Sequence, residues 1–143
     1  PMLWNSNMYC SLEAMKILVG VIDIWLPDFK YGNNACALRL SKVMNYFPTA
    51  ARNHAMAHQN GDMIIRHLVL PNHVECCTKP ILQWIAENCP RSLVNIMGQY
   101  HPDNIVPRQP EKYREITRRP TSEEMTRAYT YAKSLGIIYE PVS

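Results

Sequence analysis

The chain has 143 residues, a formal net charge of +3 and 47% hydrophobic residues. A chain of this length buries roughly 70% of its unfolded surface on folding, so a single domain can form a core without cross-links. Its basic residues are scattered apart from Arg118 and Arg119, which argues against nucleic acid as a partner. No apolar run approaches the ~20 residues that cross a bilayer, which argues against a membrane protein.

Short apolar runs of strand length recur along the chain, at residues 2–4, 21–26, 63–70, 93–97 and 136–139. One segment with helical spacing of apolar residues falls in each gap between them. These segments cover residues 11–19, 48–60, 78–88 and 121–135.

Capping signals mark the starts of these helices. Ser11 and Thr78 stand at N-cap positions, and Pro48 stands in a first turn. Thr121 and Glu124 have the spacing of a capping box. The helix boundaries are therefore predicted independently of the apolar spacing.

Alternation of apolar strands with helices is typical of parallel βαβ units, and it predicts an α/β fold. Five strands suit either a small doubly wound sheet or part of an eight-stranded barrel, and the pattern does not separate the two. Residues 100–120 contain four prolines and predict a long loop with one short helix over 111–118.

The five cysteines predict a reducing compartment, since they are odd in number and lack the spacing of a disulfide framework. They are Cys10, Cys36, Cys76, Cys77 and Cys89. The chain shows no basic-then-apolar leader, so we expect a cytoplasmic protein. Because position 1 is a proline, we also expect the chain to be part of a longer protein.

Polar residues stand at or near the ends of four predicted strands, where parallel α/β folds bind their ligands. They are Asn5, Asp28, Lys30, Arg66 and His101. Together they predict one shared site.

Period-two alternation places Asp28 and Lys30 on one face of their strand, and it places Arg66 among apolar neighbours on a face that we interpret as the interior. An unpaired arginine there is costly, so Arg66 needs a carboxylate partner. One interpretation is an internal ion-pair network of these three residues that only stabilises the fold. The other is recognition of a ligand carboxylate by the guanidinium.

The ordered set of strand sequences resembles that of the radical S-adenosylmethionine (SAM) family. The matching segments are residues 4–7, 23–30, 65–71 and the pair Tyr100-His101. Over nearly its whole length, the chain resembles the C-terminal portion of enzymes related to pyruvate formate-lyase activating enzyme.

This resemblance implies that residues 1–143 form the C-terminal part of a partial (βα)6 TIM-like barrel with parallel strands. In that family a 4Fe-4S cluster cleaves SAM reductively, and the resulting 5′-deoxyadenosyl radical abstracts hydrogen from a substrate. The implied substrate is a glycyl-radical enzyme, another peptide or a small molecule.

The resemblance also implies SAM-binding roles for five residues. Asp28 and Lys30 match the DxK strand end, Arg66 matches an arginine near the SAM carboxylate, and His101 matches a histidine near the adenosyl end. Asn5 stands where the family has an aspartate, and its amide can hydrogen-bond an ammonium group without supplying charge.

The CxxxCxxC cluster motif of the family does not occur in these residues, and we expect it before Pro1. A cluster needs three or four converging thiolates, and the five cysteines lack that spacing. We therefore expect this chain alone to bind no cluster and to be inactive.

A different class of function is a non-catalytic binding or scaffold module, in which the polar strand ends are purely structural. A half barrel argues against it, because it would expose strand edges and interior residues such as Ile24 and Leu68. Self-association would cover the same open edges.

Two groups of histidines and cysteines have alternative interpretations. His73, Cys76 and Cys77 could form half of a metal site, but no second ligand pair is spaced to complete it, which favours buried packing at a helix start. His54 and His58 lie four apart without the glutamate of a metalloprotease motif, which favours a solvated helix face. His67 alternates with Arg66, and we expect it to pack under a helix.

Overall fold

The computed structural model describes residues 1–100, 111 and 113–142. Its strands form a five-stranded parallel sheet in the order β1-β2-β3-β4-β5. They are β1 (Leu3–Ser6), β2 (Ile24–Pro27), β3 (Asp62–Leu68), β4 (Leu93–Met97) and β5 (Ile138–Val142). The predicted α/β fold with parallel strands is confirmed.

The helices of the described residues alternate with these strands. They are α1 (Leu12–Leu18), α2 (Asn34–Ser41), α3 (Tyr46–Asn60), α4 (Lys79–Asn88) and α5 (Ser122–Ser134). A π-helical turn, Val74–Thr78, leads into α4, and a 3₁₀ turn, Arg114–Ile116, lies within the short helix predicted over 111–118. Among them, no helix combines the length and the apolar character needed to span a bilayer.

The sequential strand order places the helices on one face of the sheet, because parallel crossovers are right-handed and only a reversal of strand order would move helices to the other face. No reversal occurs among the described strands. The order therefore does not fit the doubly wound alternative.

The helix-covered face carries the core. Trp25, Phe29, Ile65 and Ile96 on this face are fully buried. His67 also lies here, 1% exposed, as expected from its alternation with Arg66.

The opposite face of the sheet is only half-buried, and it carries Ile24, Leu26, Arg66 and Leu68. We predicted that this face is the interior and that His67, on the other face, packs under a helix. The burial of His67 confirms the second expectation, and the face of Arg66 is the one that the described helices leave half-buried. Both faces of these strands are rich in apolar residues, and period-two alternation assigned their side chains to the two faces correctly.

Two of the three predicted caps form. Ser11 Oγ accepts a hydrogen bond from Ala14 N at 3.1 Å, and Thr121 and Glu124 make both hydrogen bonds of the capping box. Thr78 makes no capping hydrogen bond. The prediction for Thr78 is wrong because the chain is already helical before α4 begins.

Helix α2 is absent from the predicted elements. It is eight residues long, and only Ala37 of it is fully buried, so its apolar stripe is weak. The local signal for it is Asn33, whose side chain caps the helix by accepting a hydrogen bond from Cys36 N at 2.7 Å.

The face of α3 that carries His54 and His58 is buried, so the predicted solvated face is wrong. His54 is fully buried and stacks on Phe29 with ring centroids 4.4 Å apart. Its Nδ1 donates to the Ala50 carbonyl at 2.7 Å, and burial lowers the pKa of His54 to about 4. His54 is therefore a neutral residue of the core.

Candidate functional site

Three of the five predicted site residues meet at the C-terminal ends of β1, β2 and β3. Arg66 Nε lies 2.8 Å from Asp28 Oδ1, and a terminal nitrogen of the same guanidinium donates to Asn5 Oδ1. The expectation that Arg66 has a carboxylate partner is confirmed. We call Asn5, Asp28 and Arg66 the strand-end cluster.

Backbone hydrogen bonds on both sides hold Asp28 in this cluster. Asp28 N donates to Ser6 O of β1 at 2.8 Å, and Phe29 N donates to Arg66 O of β3 at 2.9 Å. Asp28 and Arg66 also form a parallel bridge beyond the end of β2. The carboxylate therefore stands between the side chains of β1 and β3.

His67 supports this arrangement from the helix-covered face. Its Nδ1 donates to the Phe29 carbonyl at 2.8 Å, and its Nε2 accepts from the Thr78 hydroxyl at 2.7 Å. Burial lowers the pKa of His67 to about 4, so the ring is neutral and can make both contacts. The side chain thereby connects the end of β2 to the π-helical turn.

The strand-end cluster is accessible and locally neutral in charge. The Asp28 and Arg66 side chains are 31% and 25% exposed, and a pair with this exposure contributes no more than ~1 kcal/mol to stability. Arg66 Nε is buried and makes no aligned hydrogen bond, so its contact with Asp28 is an ion pair. A guanidinium has five N–H donors, so the terminal nitrogens can still bind a further anion.

Lys30 is exposed and borders a cavity of about 110 Å³ at the same end of the sheet. The other lining residues are Tyr31, Leu68, Leu70 and Tyr100. Among the described residues Lys30 forms no ion pair with Asp28, so the predicted network of three reduces to the Asp28–Arg66 pair. A small-molecule pocket usually encloses ~300–1,000 Å³, so this cavity would supply part of one.

His101 lies outside the described residues, together with much of the predicted loop over 100–120.

Two polar residues on the same face were not predicted. Arg66 pairs in register with Asn95 of β4, and Asn95 pairs with Glu140 of β5. A polar row therefore crosses the half-buried face from Asp28 to Glu140. Asn95 has the signal that identified Arg66, a polar residue within an apolar strand, whereas the strand predicted over 136–139 ends before Glu140.

Comparison with known proteins adds a relative and a structural neighbour. No family model matches the chain. It is 46% identical over 142 aligned residues to "Uncharacterized protein MJ0674" of Methanocaldococcus jannaschii. The alignment covers 98% of this chain and 40% of that protein. The chain thus spans about 40% of the length of this curated relative.

The structural neighbour is a domain of pyruvate-formate lyase-activating enzyme from Bacteroides vulgatus, known from a crystal structure. The two structures superpose with a TM-score of 0.71 and 15% sequence identity, over 96% of this chain and 79% of the other. At this identity the similarity concerns the fold, and it shows that the chain has the α/β fold of that activating-enzyme domain.

Proposed function

We propose that the chain is the C-terminal part of a radical SAM enzyme related to pyruvate formate-lyase activating enzyme. In this proposal Asn5, Asp28, Lys30 and Arg66, together with His101, bind SAM. The observation that carries it is the strand-end cluster, which lies at the ligand-binding end of parallel strands in a fold similar to that of the activating-enzyme domain.

The half-buried face supports a partial barrel. With the described helices on one face, the other face would line the inside of a barrel once further strands closed it. The edge strand β1 is consistent with such neighbours, because Leu3 is 53% and Trp4 is 38% exposed. Apolar side chains on an unpaired edge are normally covered by another element.

The chemistry of the strand-end cluster suits the amino-acid end of SAM, which carries a carboxylate and an ammonium group. The terminal N–H groups of Arg66 can donate to the carboxylate, and the exposed ammonium of Lys30 adds positive charge beside the cavity. Asp28 and Asn5 offer oxygen acceptors that suit the ammonium. These residues would bind and orient the cofactor.

The described cysteines do not fit a 4Fe-4S cluster. Cys36, Cys76 and Cys77 converge with His73 within 4.8 Å, as ligands of one ion do, whereas a cluster spreads its thiolates around four irons. When held by residues outside this chain, the cluster would supply the electron for reductive cleavage of SAM.

One observation favours the scaffold alternative: Arg66 already has partners in Asp28 and Asn5. If the strand-end cluster is only structural, replacing its residues should lower the stability of the fold and leave SAM binding unchanged.

The substrate of the enzyme would be a glycyl-radical protein, another peptide or a small molecule.

The test is calorimetric titration of SAM into the intact, cluster-reconstituted protein. Arg66→Ala should weaken SAM binding more than tenfold, the size expected when a charge-assisted contact is lost. Arg127→Ala is the matched control, because Arg127 pairs with the exposed Glu75 on the helical side of the molecule. Equal SAM affinities for both variants would refute the assignment, and melting temperatures would show whether Arg66 is instead a structural residue.

A further inference from the structure

Three thiols and one imidazole converge in the loops that follow β2 and β3. Cys36 lies in α2, His73 precedes the π-helical turn, and Cys76 and Cys77 lie within it. The ligand atoms of all four residues lie within 4.8 Å of one another. The sulfur of Cys36 is 3.9 Å from that of Cys76, which is 3.8 Å from that of Cys77.

The imidazole completes this group. His73 Nδ1 is 3.8 Å from the sulfurs of Cys36 and Cys77 and 3.0 Å from that of Cys76. One ring nitrogen makes one hydrogen bond, so hydrogen bonding does not explain three sulfurs around it. A disulfide does not explain them either, since it needs sulfurs ~2.05 Å apart.

The spacing is that of ligands around a single tetrahedral ion. Zinc binds sulfur at ~2.3 Å and nitrogen at ~2.0–2.1 Å, which places two sulfurs ~3.8 Å apart and a sulfur and a nitrogen ~3.6 Å apart. We propose that Cys36, His73, Cys76 and Cys77 bind one Zn²⁺ in a site closed by four protein ligands. This proposal is independent of SAM binding.

The π-helical turn explains how adjacent cysteines can share one ion. Within it, Thr78 N donates to His73 O at 3.1 Å, a bond that spans five residues and widens the turn. Cys76 and Cys77 can thereby approach the same point as the imidazole that precedes them. Such π-helical turns occur frequently at functional sites.

The loop after β2 is fitted closely against this turn. A Cβ added to Gly32 would lie 2.7 Å from Cys77 O and 2.8 Å from Cys76 O, so only glycine permits the approach. Asn33 Nδ2 donates to Cys76 O at 2.9 Å, and its Oδ1 accepts from Cys36 N at 2.7 Å. Asn33 therefore aligns Cys36 with the two adjacent cysteines.

The other nitrogen of the imidazole faces a carboxylate. His73 is 3% exposed, and its Nε2 lies 3.6 Å from Glu115 Oε1. Arg39 forms an ion pair with the same Glu115 oxygen and offsets its charge. A ligating histidine usually directs its second N–H at such a carboxylate, which fixes the tautomer that binds the metal.

A site with four protein ligands is structural, because no position remains for water or substrate. The ion would join the loops that follow β2 and β3. Asp28 and Lys30 come directly after β2, and Arg66 lies near the end of β3. The sequence suggested His73, Cys76 and Cys77 as half of a metal site, but no further ligand is spaced near them in the sequence to complete it. Cys36, 37 residues before His73, supplies it through the fold.

The experiment is metal analysis of the intact protein purified from medium that contains both zinc and iron. We expect one zinc per chain, counted separately from any iron of a cluster. Cys36→Ser and Cys76→Ser should each reduce bound zinc more than tenfold, while Cys10→Ser, a half-buried thiol outside the group, should retain it. Glu115→Gln should weaken zinc binding by about 10–100-fold.

A second measurement does not depend on variants that fold poorly. Cobalt added to the chelator-treated wild-type protein should give the visible absorption bands of a tetrahedral thiolate complex, and zinc should displace it. The proposal is overturned if the wild-type protein binds neither metal, if the Cys10 variant loses zinc equally, or if mass spectrometry shows a disulfide among these thiols. Because SAM affinity and iron content are measured separately, failure here is distinguishable from failure of the proposed enzyme function.

Discussion

Replacing Glu124 by glutamine should destabilise the protein in a pH-dependent way. The Glu124 carboxylate is 6% exposed and accepts three hydrogen bonds from separate parts of the chain. Its Oε1 accepts from Thr121 N and from the Arg118 guanidinium, each at 2.8 Å, and its Oε2 accepts from Asn72 N at 2.6 Å. The carboxylate therefore joins the start of α5 to the loop after β3.

The lowered pKa of Glu124 sets the size of the expected loss of stability. Burial alone would raise this pKa, but the hydrogen bonds from Arg118, Asn72 and Thr121 outweigh burial and lower it from 4.5 to about 2. Since each pKa unit corresponds to ~1.4 kcal/mol, the upper limit is ~3 kcal/mol. Arg118 is 44% exposed and solvent screens its share, so we expect about 2 kcal/mol.

The pH dependence gives the test. A carboxyl with a lowered pKa in the folded state stabilises fully above its unfolded pKa of 4.5 and loses this contribution as the pH falls towards 2. Urea denaturation of wild type and Glu124→Gln should therefore differ by about 2 kcal/mol at pH 7 and progressively less between pH 4.5 and 2.5. A difference that stays constant over this range would refute the reasoning.

Three further predictions concern other positions. Gly32→Ala should cost roughly 1–3 kcal/mol in urea denaturation and reduce bound zinc, because the new methyl group overlaps backbone atoms, whereas Gly20→Ala, with its nearest atom at 3.5 Å, should be tolerated. His67→Ala should cost about 3 kcal/mol in the same assay, since it leaves the Thr78 hydroxyl and a backbone carbonyl without their buried partner; a loss below ~1 kcal/mol would contradict this. Ser11→Ala should cost about 1 kcal/mol and increase amide hydrogen exchange in the first turn of α1, and unchanged exchange would contradict the capping role.

Much of the fold could be predicted because its signals are local. Strand β4 has the predicted bounds, and the ends of α1 and α5 lie within one residue of prediction. A cap or an apolar stripe depends on residues three or four apart, which the sequence displays directly. Helix α2 was missed because it is short and weakly amphipathic.

The candidate site was predictable only in part. Arg66 in an apolar strand indicated a carboxylate partner, and Asp28 is that partner. The position of Asn95 beside Arg66, and of Glu140 beside Asn95, follows from strand register, which no local pattern contains.

By itself, the sequence determined the alternation of strands and helices, the caps at Ser11 and Thr121, and the two sets of side chains on each strand, since all of these depend on spacing within a few residues. Only the tertiary structure decided that Asn95 and Glu140 lie in one row with Arg66. It also decided that Cys36 meets His73 and the adjacent cysteines. Both depend on the handedness of the crossovers and on the order of the strands, which bring together residues far apart in the chain.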